Sequence, residues 1–232
     1  MLSCDFLRLF GFYAMQLTDL APWGESLRIA VEVIGTIAFA LSGILAGVRK
    51  RMDMFGVAVL GFLSAYGGGT LRDILLERRP FFWVSEELML WLVFALCIVV
   101  MLVNSRRPFR ITPAAIQLAD ALGLGLFVAS GVQASLASGM PMAVSVIMGI
   151  ITGVFGGVMR DIACGEMPTA FFDHRPYAMC ALVGGWVYAI LAVYSSLAAW
   201  VIMFISTVTT TGLRIAALAF NYHLPGWKKS AS

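Results

Sequence analysis

Seven runs of about 20 mostly apolar residues take up most of the chain, and each has the length that an α-helix needs to cross a lipid bilayer. The predicted membrane-spanning helices are 28–48, 54–76, 84–104, 113–136, 141–163, 176–195 and 198–220. Of the 232 residues, 60% are hydrophobic and only 12% are charged, which leaves too little polar surface for a water-soluble domain. The sequence therefore predicts an all-α integral membrane protein with seven transmembrane helices in a lipid bilayer.

The lysine and arginine residues predict the orientation of these helices. With seven spans, one side of the membrane holds Arg49, Lys50, Arg51, Arg106, Arg107, Arg110, Arg175, Lys228 and Lys229, and the other holds Arg8, Arg78 and Arg79. Because cytoplasmic loops are enriched in Lys and Arg, we expect the N-terminus outside and the C-terminus in the cytoplasm of a multi-pass protein of the cell inner (plasma) membrane. The net charge is only +3 and the basic residues lie in short separate clusters, which argues against a nucleic-acid partner.

The chain contains an internal duplication. Displacing it by 88 residues aligns segment 32–83 with segment 120–171 without a gap. The matched positions include Gly35 with Gly123, Phe39 with Phe127, Gly61 with Gly149, Arg72-Asp73-Ile74 with Arg160-Asp161-Ile162, and Pro80 with Pro168. Glycines match one another easily in membrane helices, but a charged pair and a proline in the same register indicate two copies of one unit.

Each copy contains three predicted spans, so the second copy enters the membrane from the opposite side. The expected organisation is an N-terminal lead-in (1–27), a first repeat (28–112), an inverted second repeat (113–196), a seventh helix (197–221) and a cytoplasmic tail (222–232). This is a fold of inverted 3+3 repeats plus one C-terminal helix. Inverted repeats with interrupted helices at matched positions indicate a transport pathway at their interface.

Glycines interrupt the second predicted span in the stretch "SAYGGGTLRDILLERRP" and recur at the matched place in the fifth span. Gly67, Gly68, Gly69, Gly156 and Gly157 are therefore candidate kinks, one set near each mouth of a pathway. Unwound backbone in a membrane is tolerated only beside protein or a water-filled cavity. The alternative is close helix packing, for which small residues are also used.

The same two charges follow the glycines in both copies, as Arg72-Asp73 and Arg160-Asp161. Sequence neighbours point about 100° apart on a helix, so we expect each residue to find its partner on another helix and the resulting salt bridges to frame an entrance. Snorkelling of both arginines to the lipid headgroups is the alternative.

A second set of matched polar residues outlines a possible cation path. Glu32 and Asp120 begin the first span of each copy, and Ser42 and Ser130 follow ten residues later on nearly the same helical face. For Glu32, a surface pair with Arg28 is an equally good interpretation. Further pathway candidates are Ser64, Thr70, Thr152 and Gln133. The hydroxyls of "STVTTTGLR" in the last span are expected to bond their own helix or to pack on neighbours.

Nothing in the sequence predicts an enzyme or a bound cofactor. The cysteines and histidines lack metal-ligand spacing; they are Cys4, Cys97, Cys164, Cys180, His174 and His223. The chain also lacks a catalytic nucleophile motif and an H-E-x-x-H pair. We therefore expect no metal site and no catalysis.

The pattern "FALSGILAG…GFLSAYGGGTLRDILLERRPFFW", repeated as "FVASGVQAS…GIITGVFGGVMRDIACGEMPTAFF", resembles the bacterial branch of the trimeric intracellular cation channel family, some members of which are labelled glycine transporter domain proteins. The resemblance covers residues 28–227. It implies a homotrimer in which each protomer encloses a pore for monovalent cations, chiefly potassium, with sodium as the other permeant ion. It also implies that the glycine-rich segments are kinked pore helices, although Phe155 stands where the second copy would have its third glycine.

Two other functions remain open at this stage. A small-solute secondary transporter, for example for glycine, has nearly the same sequence features as a channel. A purely structural protein is the third possibility, and the matched charges within the membrane argue against it.

Overall fold

The computed structural model describes residues 22–85, 87–106, 111–172 and 176–222. Within these ranges the chain forms nine helices and no strand. The helices are α1 (Pro22–Arg49), α2 (Met54–Leu75), α3 (Phe82–Ser85), α4 (Glu87–Arg106), α5 (Pro113–Ala137), α6 (Met142–Ala163), α7 (Thr169–Phe172), α8 (Ala178–Tyr194) and α9 (Ala199–Ala219). Most of the predicted lead-in and nearly all of the predicted tail lie outside the described residues.

The seven long helices correspond to the seven predicted spans. Six of them are long and apolar enough to cross a membrane. The other, α8, is apolar but has only 17 residues, or about 26 Å of helix against about 30 Å of hydrocarbon. The short helices α3 and α7 were not predicted, and they lie at matched places, just after Pro80 and Pro168.

Contacts between the two copies show that they are inverted. Gly35 of α1 lies against Phe127 of α5, and Gly123 of α5 lies against Phe39 of α1. Residue numbers therefore rise along one helix as they fall along the other, so α1 and α5 are antiparallel. The rings of Phe39 and Phe127, which are repeat counterparts, stack with centroids 5.4 Å apart and an interplanar angle of 10°. The prediction of inverted three-helix repeats is confirmed.

The seventh long helix, α9, has no counterpart in the duplication. It packs along α5 and α8, and so covers the second repeat much more than the first. Among the six helices that meet the length and hydropathy requirements, α5 is the most enclosed and α4 the most exposed. The exposed face of α4 is apolar, as expected for a surface in contact with lipid or with another membrane helix.

The expected interruption of α2 and α6 at the glycines is wrong. Both helices continue without a break through Gly68 and Gly156. The two helices cross at this point with their backbones in contact, because a Cβ on Gly68 would overlap the Thr152 carbonyl and one on Gly156 would overlap the Ser64 carbonyl. Close approach between backbones, not unwinding, is what these glycines provide here. The uninterrupted helix also keeps every backbone group paired, as lipid requires.

Replacing Gly68 by Ala tests this crossing. The added methyl group has no space against the Thr152 carbonyl, so we expect a loss of about 1–3 kcal/mol of stability and a lower melting temperature in detergent. Gly212→Ala is the matched control, because nothing lies within 4 Å of a Cβ at that exposed position of α9. Equal melting temperatures for the two variants, measured by size-exclusion after heating, would contradict the described crossing.

Candidate functional site

The charged residues singled out in each repeat form two buried clusters. We call Glu32, Arg72 and Asp73 the first charge cluster, and their repeat counterparts Asp120, Arg160 and Asp161 the second charge cluster. All six residues are at most 5% exposed. Each cluster is built from the N-terminal half of one helix, α1 or α5, and the C-terminal end of another, α2 or α6.

Arg160 is the centre of the second charge cluster. Its Nη1 donates to Asp120 Oδ1 at 2.6 Å, which joins α6 to α5. Its Nε and Nη2 both donate to Asp161 Oδ1, at 2.9 and 2.8 Å. A guanidinium that binds two carboxylates in this way is held in one geometry, since its donors are fixed in a plane.

The first charge cluster repeats part of this arrangement. Arg72 Nε donates to Asp73 Oδ1 at 2.9 Å. The Arg72 guanidinium carbon also lies 5.4 Å from the centre of the Phe82 ring, within cation–π range. Glu32 and Arg72 line the same small polar cavity of about 120 Å³, together with the side chain of Arg78.

The expectation that neighbouring Arg and Asp residues cannot pair is wrong. In both clusters the arginine bonds the aspartate that follows it, because the long Arg side chain can fold back to bring Nε beside the next carboxylate. One bond of the predicted kind, between helices, is present as Arg160–Asp120. Snorkelling is excluded too, since Arg72 and Arg160 are only 2% and 5% exposed.

Each arginine also contacts the serine of the opposite repeat. Arg72 Nη1 donates to Ser130 Oγ at 3.4 Å, and Arg160 Nη1 donates to Ser42 Oγ. Ser42 in turn donates to the Ile116 carbonyl at 3.2 Å. These reciprocal bonds tie the end of each repeat's second helix to the middle of the other repeat's first helix.

The aspartates hold the short helices in place. Asp73 Oδ2 accepts from the backbone N–H of Phe82 at 3.0 Å. Asp161 Oδ2 accepts from both the backbone N–H and the hydroxyl of Thr169, at 2.8 and 3.0 Å. Phe82 begins α3 and Thr169 begins α7, so each buried carboxylate satisfies a free donor at a helix start.

The two clusters lie at different depths. Glu32 and Ser42 on α1, like Asp120 and Ser130 on α5, are ten residues or about 15 Å apart. The antiparallel helices put Ser130 near the first cluster and Ser42 near the second, so the clusters are separated by about half of a 30 Å hydrocarbon core. The α2–α6 crossing, with its backbone contact, lies between them.

Hydroxyl groups line the region between the clusters. The Ser64 hydroxyl is buried and has no hydrogen-bond partner among the described residues. Its repeat counterpart Thr152 donates to the Met148 carbonyl of its own helix at 2.6 Å. A Cβ at Gly43 would overlap Ser64 Oγ, and one at Gly131 would overlap Thr152 Oγ1, so both hydroxyls face the first helix of their own repeat.

The remaining predicted residues have less central positions. Thr70 Oγ1 accepts from the indole N–H of Trp83 at 2.9 Å, and Gln133 is partly buried on α5. Glu32 is only 4% exposed, so its side chain does not lie at the surface; the pair considered for it with Arg28 stays a prediction, because the side chain of Arg28 lies outside the described set. The expected back-bonding in α9 is confirmed for Thr209 and Thr210.

Sequence reasoning did not select Tyr177 and Arg214 as site residues. Both are 2% exposed, and the Arg214 guanidinium carbon lies 4.7 Å from the centre of the Tyr177 ring. The Tyr177 hydroxyl lies beside Asp120, next to Gly157. A lone arginine inside the last apolar run was the available signal, because a charge within a membrane segment indicates a functional position.

Sequence comparison identifies relatives over most of the chain. A family model described as "Glycine transporter" matches twice, at residues 29–105 and 117–193, again 88 residues apart. A UPF0126 membrane protein of Vibrio cholerae is 36% identical over 202 residues, covering 86% of this chain and 82% of that protein. The UPF0126 inner membrane protein YadS of Escherichia coli K12 is 35% identical and covers 84% and 93%.

Comparison with solved structures agrees with the sequence matches. The TRIC trimeric intracellular cation channel orthologue from Rhodobacter sphaeroides superimposes with a TM-score of 0.78 at 27% identity, covering 85% of this chain and all of that one. A second TRIC cation channel gives a TM-score of 0.77 at 34% identity and covers 88% and 98%. The chain therefore belongs to the bacterial branch of the trimeric intracellular cation channel (TRIC) family.

Proposed function

We propose that this protein is a channel for monovalent cations, chiefly potassium, with a pore inside each protomer between α1, α2, α5 and α6. The observation that supports this most directly is the pair of matched charge clusters, one on each side of the α2–α6 crossing. The TRIC cation channels with which the chain superimposes support the same function. We propose no catalytic activity and no cofactor beyond the permeant potassium or sodium ion.

The charges of the two clusters favour cations over anions. Each matched set contains two carboxylates and one guanidinium, so each has an excess of one negative charge when all groups are ionised. A carboxylate near a pore mouth in a low-dielectric surrounding attracts cations and repels anions. Glu32 and Asp120, in the N-terminal halves of α1 and α5, are the carboxylates that we assign to the two mouths.

Between the mouths, hydroxyl oxygens are the groups available to replace the water around an ion. Ser42, Ser64, Ser130 and Thr152 supply them, with Thr70 and Gln133 in flanking positions. The uncommitted Ser64 hydroxyl supports this role, since it has no bond to give up among the described residues. Replacement of hydration by protein oxygens is the general route to cation permeation.

Opening requires α2 and α6 to move apart at their crossing. A helix can bend without losing its hydrogen-bonded form, and Gly67, Gly68, Gly69, Gly156 and Gly157 lower the cost of such a bend. Arg72, Asp73, Arg160 and Asp161 are placed where the same movement would change their bonds across the repeats. In this proposal the glycines allow the helices to move, and the charged pairs stabilise the closed form.

A glycine carrier is the second candidate. The matched family description supports it, and so do the inverted repeats, which many secondary transporters share. A carrier would alternate between two closed forms and would not present an open pore.

We further propose a homotrimer in the inner membrane, with the repeats as the units of residues 28–112 and 113–196. The trimeric TRIC structure from Rhodobacter sphaeroides and the inner membrane relative YadS support these assignments. The uneven distribution of Lys and Arg supports an outside N-terminus and a cytoplasmic C-terminus.

Reconstitution in a planar bilayer tests the main proposal. We expect discrete current steps and, in a potassium chloride gradient, a reversal potential close to that of potassium. A reversal potential near that of chloride would contradict cation selectivity. Saturable exchange of labelled glycine in proteoliposomes, without current steps, would select the carrier instead.

Neutralising the aspartates tests the role of the charged pairs. Asp73→Asn and Asp161→Asn each remove one carboxylate that a buried guanidinium binds, and Arg160 keeps Asp120 as its other partner, so we expect a loss of up to about 3–5 kcal/mol, the cost of breaking a buried pair. We expect lower melting temperatures and altered open times in single-channel records. Asp53→Asn is the control, because Asp53 is exposed and caps α2 through a side-chain oxygen that Asn retains. Parent-like stability and currents in both buried variants would refute the assignment.

Reporter fusions test the orientation. We expect a fluorescent protein fused after Ser232 to be bright, since it folds in the cytoplasm, and alkaline phosphatase at the same place to be inactive. A fusion in the α5–α6 connection, at Gly139, should give the opposite pair of signals. The reverse pattern at both places would show that the protein is inserted the other way up.

A further inference from the structure

The seventh long helix, α9, lies closer to the second charge cluster than to the first. α9 packs on α5 one residue beyond Asp120, where Thr211 Oγ1 donates to the Ala121 carbonyl at 3.1 Å. A Cβ at Gly125, one turn further along α5, would overlap the same threonine hydroxyl. The helix is therefore seated directly against the part of α5 that presents Asp120 to Arg160.

A chain of contacts leads from α9 into the second charge cluster. Arg214 of α9 lies over the face of the Tyr177 ring, which holds the phenol in one orientation. The Tyr177 hydroxyl lies beside Asp120, and a Cβ at Gly157 would be 3.0 Å from both that hydroxyl and Asp120 Oδ1. Asp120 Oδ1 is the atom that accepts from Arg160. Movement of α9 would therefore change the Arg160–Asp120 bond, which joins α5 to α6.

The contacts described above for the first charge cluster include no such connection to α9. The repeat counterpart of Tyr177 is Met89, which has no hydroxyl to place beside Glu32. The position over Arg72 is taken by the Phe82 ring, and a Cβ at Gly69, the counterpart of Gly157, would overlap that ring. In the first cluster the apolar Phe82 ring therefore occupies the place that the Tyr177 hydroxyl has in the second cluster. In addition, α9 packs mainly on the second repeat.

We propose that Arg214 and Tyr177 are positioning residues through which the seventh helix controls the mouth formed by the second charge cluster. They hold Asp120 on Arg160 and so stabilise the closed form at that mouth, while the first charge cluster responds independently. This inference rests on the proposed channel function. It makes the two mouths different in regulation although their charged residues are matched.

Tyr177→Phe is the most specific test, because it keeps the ring under Arg214 and removes only the hydroxyl beside Asp120. The Tyr177 hydroxyl is a buried polar group beside the Asp120 carboxylate, and its removal leaves that carboxylate less firmly placed on Arg160, so we expect the open-to-closed ratio in single-channel records to rise severalfold. The unit conductance should not change. Arg214→Gln should act in the same direction, and Arg214→Lys, which keeps a cation over the ring, should restore most of the parent ratio.

Two control variants separate this effect from general damage. Met89→Leu changes the repeat counterpart of Tyr177, and Thr209→Ala removes a hydroxyl of α9 that bonds only the Ile205 carbonyl of its own helix. Both should leave the open-to-closed ratio at the parent value. The double variant Tyr177→Phe/Arg214→Gln should resemble either single variant, because both changes interrupt one chain of contacts.

Additive effects in that double variant, or a parent-like ratio in Tyr177→Phe, would overturn the inference. Should the parent protein give no current, the proposed function fails, and the positioning role is then judged from melting temperatures in detergent. Tyr177→Phe combined with Asp120→Asn should there lower the melting temperature by less than the sum of the two single shifts. A melting-temperature shift of the double variant equal to the sum of the two single shifts would by itself overturn the positioning role.

Discussion

A guanidinium group buried within a bilayer must find acceptors for its hydrogen bonds in the protein, because lipid tails offer none. Arg72 and Arg160 are placed under this constraint, and much of the fold can be understood as its solution. Each arginine draws in an aspartate from its own helix and a serine from the other repeat. The carboxylates then hold the starts of α3 and α7, so a single buried charge fixes a helix end, a connection and an inter-repeat contact.

The α2–α6 crossing complements these charges. Glycine at the crossing lets two backbones meet without side chains between them, so the charged residues at the helix ends are brought within reach of the opposite repeat. The charged groups of the site thereby lie at two levels about 15 Å apart, with a close backbone contact between them. A path that must open and close needs such a contact, whereas a permanent water-filled hole would not seal.

The sequence predicts the helices, the duplication and the inversion because these follow from apolar run length and from an odd number of spans. The importance of Arg72 and Arg160 follows from the recurrence of a charged pair in register. The bonding partners do not follow, because a long side chain can fold along its helix in a direction that spacing does not determine. Helix continuity through Gly68 and Gly156 was missed for a similar reason: glycine permits both a break and a close crossing, and only the neighbouring helix decides between them. Tyr177 has a different residue type, Met89, as its repeat counterpart, and Arg214 lies in the helix that has no counterpart, so register could not identify them.

The stacked rings of Phe39 and Phe127 have an evolutionary consequence. A residue that packs on its own repeat counterpart sits at an axis of twofold pseudosymmetry, which is the contact expected between two identical subunits. A three-helix ancestor of such a protein would have assembled as a dimer of oppositely inserted copies. It would have needed similar numbers of Lys and Arg residues on its two sides, so that it could insert in either orientation. With both copies in one chain, each half can differ from the other, as the packing of α9 mainly on the second repeat illustrates.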